Sequence, residues 1–239
     1  LKGGDVVIVS GLHSYIGHEE REMGFRAVLR ERYPQCRLAA VVETREQESR
    51  AEQLATLGEV TDTDIIIRTA LAASYLDRLG HCSTVLNQVV RDARDSGTIG
   101  TALPALLMCA LEDLYTGRWS QAHSAAGELI TLGEDTGYRL YSQAGHYVSA
   151  LVAAHRGDAD ACATHCSPLV EWADRRGLDR LGWYAHLARA RLALGSSDFE
   201  TAFRHASAIA VPGVLPPFNL EAMWAVFDLV EAALYSGRT

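Results

Sequence analysis

The sequence predicts a mainly α fold, an α-solenoid of helix pairs preceded by a short β-α-β segment, and three observations carry that prediction. Glycine recurs every 20 residues from about residue 97, at Gly97, Gly117, Gly137, Gly157 and Gly177. Alternate members of the series share their context. Gly117 opens GRWSQA, Gly157 opens GDADAC, and Ser197 takes the same place in SDFETA, whereas Gly97, Gly137 and Gly177 close DSG, DTG and RRG. The repeating unit is therefore about 40 residues, two helices with glycine at the turns. Small residues keep the same register, as Ala122/Cys162/Ala202 and Ala126/Cys166/Ala206, which lets paired helices approach closely. Residues 1–57 have none of this pattern and read as α/β.

Taken in order, Asp5–Ser10 is a short β-branched run ending at Gly11, as a buried parallel strand does. The loop GLHSYIG leads to a helix from about His18 to Tyr33, with Phe25, Val28, Leu29 and Tyr33 on one stripe and Pro34 as its stop. A second strand follows at Arg37–Glu43. A right-handed crossover makes the two strands parallel. One such unit cannot bury both faces of its sheet and needs a partner layer. The polar stretch Gly58–Asp64 has no hydrophobic period, and residues 58–62 read as a linker. From residue 63, Ala, Leu and Arg dominate. Helices are expected near 63–78, 82–95, 101–116, 119–135, 138–155, 159–175, 179–194, 198–209 and 218–236, a solenoid of the tetratricopeptide type. An earlier, shorter unit starts near Gly80.

Two resemblances accompany this reading. The stretch DVVIVSGLHSYIGHEEREMGFRAVLRERYP, with Glu20-Arg21-x-x-Gly24-Phe25-x-x-Val28 at its centre, resembles the start of the second lobe of the effector-binding domain in LacI/GalR-family repressors. That resemblance implies an effector-facing loop at Leu12–Gly17 and cleft candidates at His13, Glu20 and Arg21; read from the residues themselves, these belong to a solvated helix N-terminus. Segments such as LYTGRWSQAHSAAGELITLGEDTG and HRGDADACATHCSPLVEWADRRGL look like the helical-repeat region of large LuxR-type regulators similar to the maltose-regulon activator. This second resemblance implies signal reception by the helical body, coupled to an ATPase and a helix-turn-helix. Neither a G-x-x-x-x-G-K-[ST] loop nor a helix-turn-helix is read in the chain.

Composition excludes several classes. With 239 residues, 48% hydrophobic and 22% charged, the chain can bury a core and is too apolar to be disordered. The net charge of −8 argues against direct contact with a phosphate backbone. No apolar run approaches the roughly 20 residues of a membrane-spanning helix. The sequence opens on Leu1 without the plan of a signal peptide, so a cytoplasmic piece of a longer protein is expected. Lys2 is the single lysine, which removes lysine nucleophiles from the rest of the chain. Five scattered cysteines fit buried thiols better than disulfides.

Catalytic patterns fail one by one. Asp95-Ser96-Gly97 and Asp135-Thr136-Gly137 spell the aspartic-protease triplet, but both sit at helix ends one repeat apart. No G-x-S-x-G elbow exists. Cys162, His165 and Cys166 could share a helical face, yet no second pair completes a zinc set, and core packing is the better account. No catalytic residue, metal or cofactor is expected. His146 and His186 occupy equivalent positions 40 residues apart, with Tyr138, Tyr141, Trp183 and Tyr184 nearby. These six are the candidates for an effector or partner groove; packing between neighbouring helices is the competing account of them. The expectation is a non-enzymatic regulator piece that receives a small-molecule effector or a protein partner and homo-oligomerises in the full-length protein. A LacI-type sugar sensor and a protein-binding scaffold are the alternatives.

Overall fold

The computed structural model describes residues 4–10, 25–32, 34–43, 62–210 and 220–238. The chain divides into two compact units, Leu1–Val60 and Thr61–Thr239.

In the first unit, β1 (Gly4–Ser10) pairs in parallel with β2 (Cys36–Glu43), from Gly4 opposite Cys36 to Ser10 opposite Glu43, with an irregularity between Val6 and Val7. Helix α1 covers 25–32 of the segment between the strands. Of the expected apolar stripe, Leu29 is buried whereas Phe25 and Val28 are exposed.

The second unit is helical. The elements are α2 (Thr63–Tyr75), a 3₁₀ turn (Leu79–Cys82), α3 (Ser83–Ser96), α4 (Ile99–Tyr115), α5 (Trp119–Asp135), α6 (Arg139–His155), α7 (Ala159–Asp174), α8 (Asp179–Gly195), α9 (Phe199–Ser207) and α10 (Leu220–Tyr235). With α1, this makes the molecule mainly helical. Consecutive helices pack on each other, and the even-numbered ones also pack on their next even neighbour: α2 on α4, α4 on α6, α6 on α8, α8 on α10. The even helices thus form one layer and the odd helices α3, α5, α7 and α9 a second, each laid against its flanking pair.

The turns explain this order. Positive φ recurs at 20-residue intervals, at Asp77, Gly97, Gly117, Gly137, Gly157, Gly177 and Ser197, and again at Gly237. Each residue lies just past a helix end, where a left-handed conformation lets following amides cap the last free carbonyls. At the end of α3, Thr98 N–H donates to the Ala93 carbonyl at 2.9 Å and Gly97 N–H to that of Arg94. The same bond recurs from Asp158 to Ala153 and from Asp198 to Ala193. Asp158 and Asp198, one repeat apart, then cap α7 and α9 by accepting from Ala161 and Thr201.

The small residues in register are all buried: Ala122, Cys162, Ala202, Ala126, Cys166 and Ala206. Two glycines mark a close approach between α5 and α6. A β-carbon on Gly145 would stand 2.6 Å from the Ala126 carbonyl oxygen, and one on Gly133 2.6 Å from Ser142 N.

Candidate functional site

Trp183 and His186 are the two expected groove residues that the fold brings to a single cleft, a space of about 450 Å³. Its walls are the end of α7 with Ala173, Asp174 and Gly177, the first turns of α8 with Gly182, Trp183 and His186, and Ala208 beyond α9. Two glycines make the room. Gly177 turns the chain at φ 62°, and the space beside the Gly182 α-carbon is open. One repeat earlier the equivalent of Gly182 is Ser142, whose backbone lies against Gly133, and that junction is closed.

His186 is held from below. Its Nδ1 lies 2.9 Å from Nδ1 of His205 on α9. The preceding repeat has the same device, His146 Nδ1 to His165 Nδ1 at 3.1 Å. The ring centroids stand 5.1 and 5.4 Å apart, so the N···N line runs close to both ring centres and the lone pairs point at one another. That is the geometry of an N–H···N hydrogen bond between one Nδ1–H tautomer and one Nε2–H tautomer. It leaves no space for a shared metal ion. Burial lowers the pKa of all four rings. At His205, burial, His186, Arg189 and Arg204 together bring it to about 4. His186, in a pair with His205 whose pKa values burial and the nearby Arg189 hold down, therefore faces the cleft together with Asp174 and Trp183. Such a surface can stack a planar or apolar ligand group and satisfy its polar edge.

The other expected residues go elsewhere. His146 belongs to the first histidine pair. Tyr138 is exposed at the start of α6, its hydroxyl over Gly100 of α4, and Tyr141 is half-buried, its pKa raised by burial and by nearby Tyr138. Tyr184 stacks on Tyr147 of α6 with centroids 4.2 Å apart. His13, Glu20 and Arg21 lie outside the described residues. Cys162 and Cys166 are buried with sulfurs 3.9 Å apart, and His165 is engaged with His146. Among the described residues, no group of three or more His, Cys, Asp and Glu could hold a metal ion.

Sequence reasoning missed a second cluster, on the face shared by the even helices. Tyr115 of α4 packs on Trp224 of α10 at 4.6 Å, beside the Tyr147–Tyr184 stack. Arg191 of α8 meets Asp228 of α10 at 3.4 Å, both side chains mostly buried, and burial raises the Asp228 pKa. Burial likewise raises the pKa of Tyr115, which lies near Tyr147, Arg191, Glu221 and Tyr184. Tyr147 Oη is buried with no partner in good hydrogen-bonding geometry, as is Gln143 Oε1 one helical turn earlier. The missed signal is the repeat itself, since Tyr147 and Gln143 stand 40 residues before Leu187 and Trp183.

No protein-family model, curated protein or solved structure matches this chain. No helix among the described residues is long and apolar enough to cross a membrane.

Proposed function

We propose that residues 63–239 are the signal-receiving, protein-interacting module of a bacterial transcription regulator, a tetratricopeptide-like solenoid without enzymatic activity. The observation that supports this most is the alternation of two helix layers in 40-residue units. An array of this kind converts a small change at one helix junction into a change of relative helix position further along. The junction between α7 and α8 is where a small effector would act. It is open, lined by Trp183, His186 and Asp174, with His186 paired to His205. Effector held there would favour one packing of α7, α8 and α9 over another, and attached ATPase and DNA-binding domains would read the difference.

The first test is the source gene on both sides of this segment. A P-loop ATPase upstream and a helix-turn-helix downstream of a continuous helical array support the proposal. A repressor helix-turn-helix and first lobe upstream, in one frame with residues 1–57, overturn it. They would favour a LacI-type sugar sensor, the reading served by the parallel β1–β2 pair. For the cleft itself, Gly182→Val fills the space from a helical position. In the full-length regulator it should abolish the effector response while leaving basal expression and folding unchanged, and an unaltered response would remove the cleft from the mechanism.

A further inference from the structure

Cys162 and Cys166 stand where the neighbouring repeats have alanine. The same two positions are Ala122 and Ala126 on α5 and Ala202 and Ala206 on α9, all buried like the cysteines, so packing alone does not call for sulfur. A third departure from the repeat meets them. Arg189 of α8 takes the place of Ser149 on α6 and Leu229 on α10, both buried. Its positive charge reaches both sulfurs, and among the described residues it forms no ion pair. The two sulfurs lie 3.9 Å apart, and Cys166 Sγ faces the Ala185 carbonyl of α8 at 3.8 Å.

We propose that this pair is a two-coordinate site for a soft monovalent cation, copper(I), held as a bis-thiolate beside Arg189. A disulfide does not fit. It needs β-carbons within about 4.5 Å of each other, whereas residues four apart on a helix hold theirs about 5–6 Å apart. Zinc does not fit either, because it takes four ligands, and His165, the other donor on this stretch of α7, is bonded to His146. Two metal–sulfur bonds of about 2.3 Å set in line need sulfurs about 4.6 Å apart, a small opening from 3.9 Å. Thiolate ligands select copper(I) by their softness. Charge selects a monovalent ion. Two thiolates around such an ion carry one net negative charge, which a buried site holds only if it is matched, and Arg189 supplies the match. Asp158 at the N-cap of α7 opposes this at Cys162, by less than Arg189 contributes. A mercury(II) bis-thiolate is neutral and gives Arg189 nothing to neutralise. Binding breaks two S–H bonds as two copper–sulfur bonds form, and both protons go to solvent. The α7–α8 cleft opens at the same junction, with His186 next to Ala185, and offers the ion an approach. The inference does not rest on an effector in that cleft.

Anaerobic titration of the whole reduced chain with copper(I), delivered from a chromophoric chelator, tests it. The expected result is one tight equivalent per chain, with two sulfur ligands in line by X-ray absorption. Cys162→Ala with Cys166→Ala installs the residues of the neighbouring repeats, and that equivalent should vanish. Cys36→Ala with Cys109→Ala should keep it. Arg189→Gln should weaken copper(I) binding at least about tenfold while leaving mercury(II) affinity unchanged, a difference that damage to the fold alone does not produce. Should the double alanine variant lose helicity by circular dichroism, Arg189→Gln supplies the second readout. No uptake beyond that of the double alanine variant, a metal with three or more ligands, or an unchanged preference between the two ions in Arg189→Gln would each overturn the proposal.

Discussion

At the residue scale, two departures from the repeat carry measurable cost. Ser197 holds φ 62° where the series elsewhere places glycine, and Asp77 holds φ 56°. A side chain with a β-carbon is strained there, though aspartate tolerates the region better than serine. Ser197→Gly should therefore stabilise the helical unit by about 1 kcal/mol, read as a higher urea midpoint at unchanged slope, and Asp77→Gly by less. A midpoint that falls for Ser197→Gly would show that the turn after α8 is held by something other than its backbone. The histidine pairs make the second residue-scale prediction. Their folded pKa values lie below the free value, so the unfolded chain binds more protons and stability must fall with falling pH. The loss starts near the free value of about 6.5 and continues towards 4. Arg189 and Arg204 face the second pair and steepen it, His123 does the same for His165, and Glu134 opposes it at His146. Melting temperature followed by circular dichroism should thus drop between about pH 7 and 5, and His165→Gln with His205→Gln should flatten the drop. A pH profile indifferent to both substitutions would assign the acid lability to other groups.

At the scale of elements, the fold was legible where chemistry at the turn is compulsory. A left-handed turn every 20 residues advertises itself through glycine, and the helix limits follow to within a few residues, α5 at Trp119–Asp135 among them. Where another residue accepts the same strain, as at Asp77, the turn has no glycine to mark it, and the first unit is placed instead by Gly80 and by the helices expected near 63–78 and 82–95. The functional side chains were harder to place. His186 could be picked out because it stands 40 residues after His146, and Trp183 because it is an aromatic residue close by. His205 was overlooked, although the 19-residue offset from His186 repeats that of His165 from His146. Tyr115, Arg191 and Trp224 come from three helices, and no local pattern joins them. Glycine also marks the contact between α5 and α6, and a pair of substitutions separates its two uses. Gly145→Ala drives a methyl group to 2.6 Å from a backbone oxygen and should cost about 2 kcal/mol or more. Gly127→Ala on the exposed face of α5 meets nothing within 4 Å and should stabilise by just under 1 kcal/mol through helix propensity. Equal effects in chemical denaturation would mean that α5 and α6 can part without loss.

At the scale of the whole helical unit, what matters is whether the array behaves as a row of neighbours or as one body. In a strictly linear array each repeat touches the next, so an end helix frays at little cost to the middle. Here the Tyr115–Trp224 contact joins α4 to α10 across two intervening even helices, and the mostly buried Arg191–Asp228 pair fixes α10 to α8. A long-range contact of this kind couples the end of the array to its interior. Trp224→Ala removes it. The substitution should cost about 2 kcal/mol, less than for a fully buried tryptophan because Trp224 is partly exposed. Its signature is spatial. In hydrogen exchange, amides of α10 and the last turn of α4 should lose protection together, while those of α6 and α7, packed on both sides, keep theirs. Loss confined to α10 would mean that the array frays from its end as independent repeats do. The Tyr115–Trp224 contact would then be incidental to stability, and an effector at the α7–α8 junction would have to act on its immediate neighbours alone.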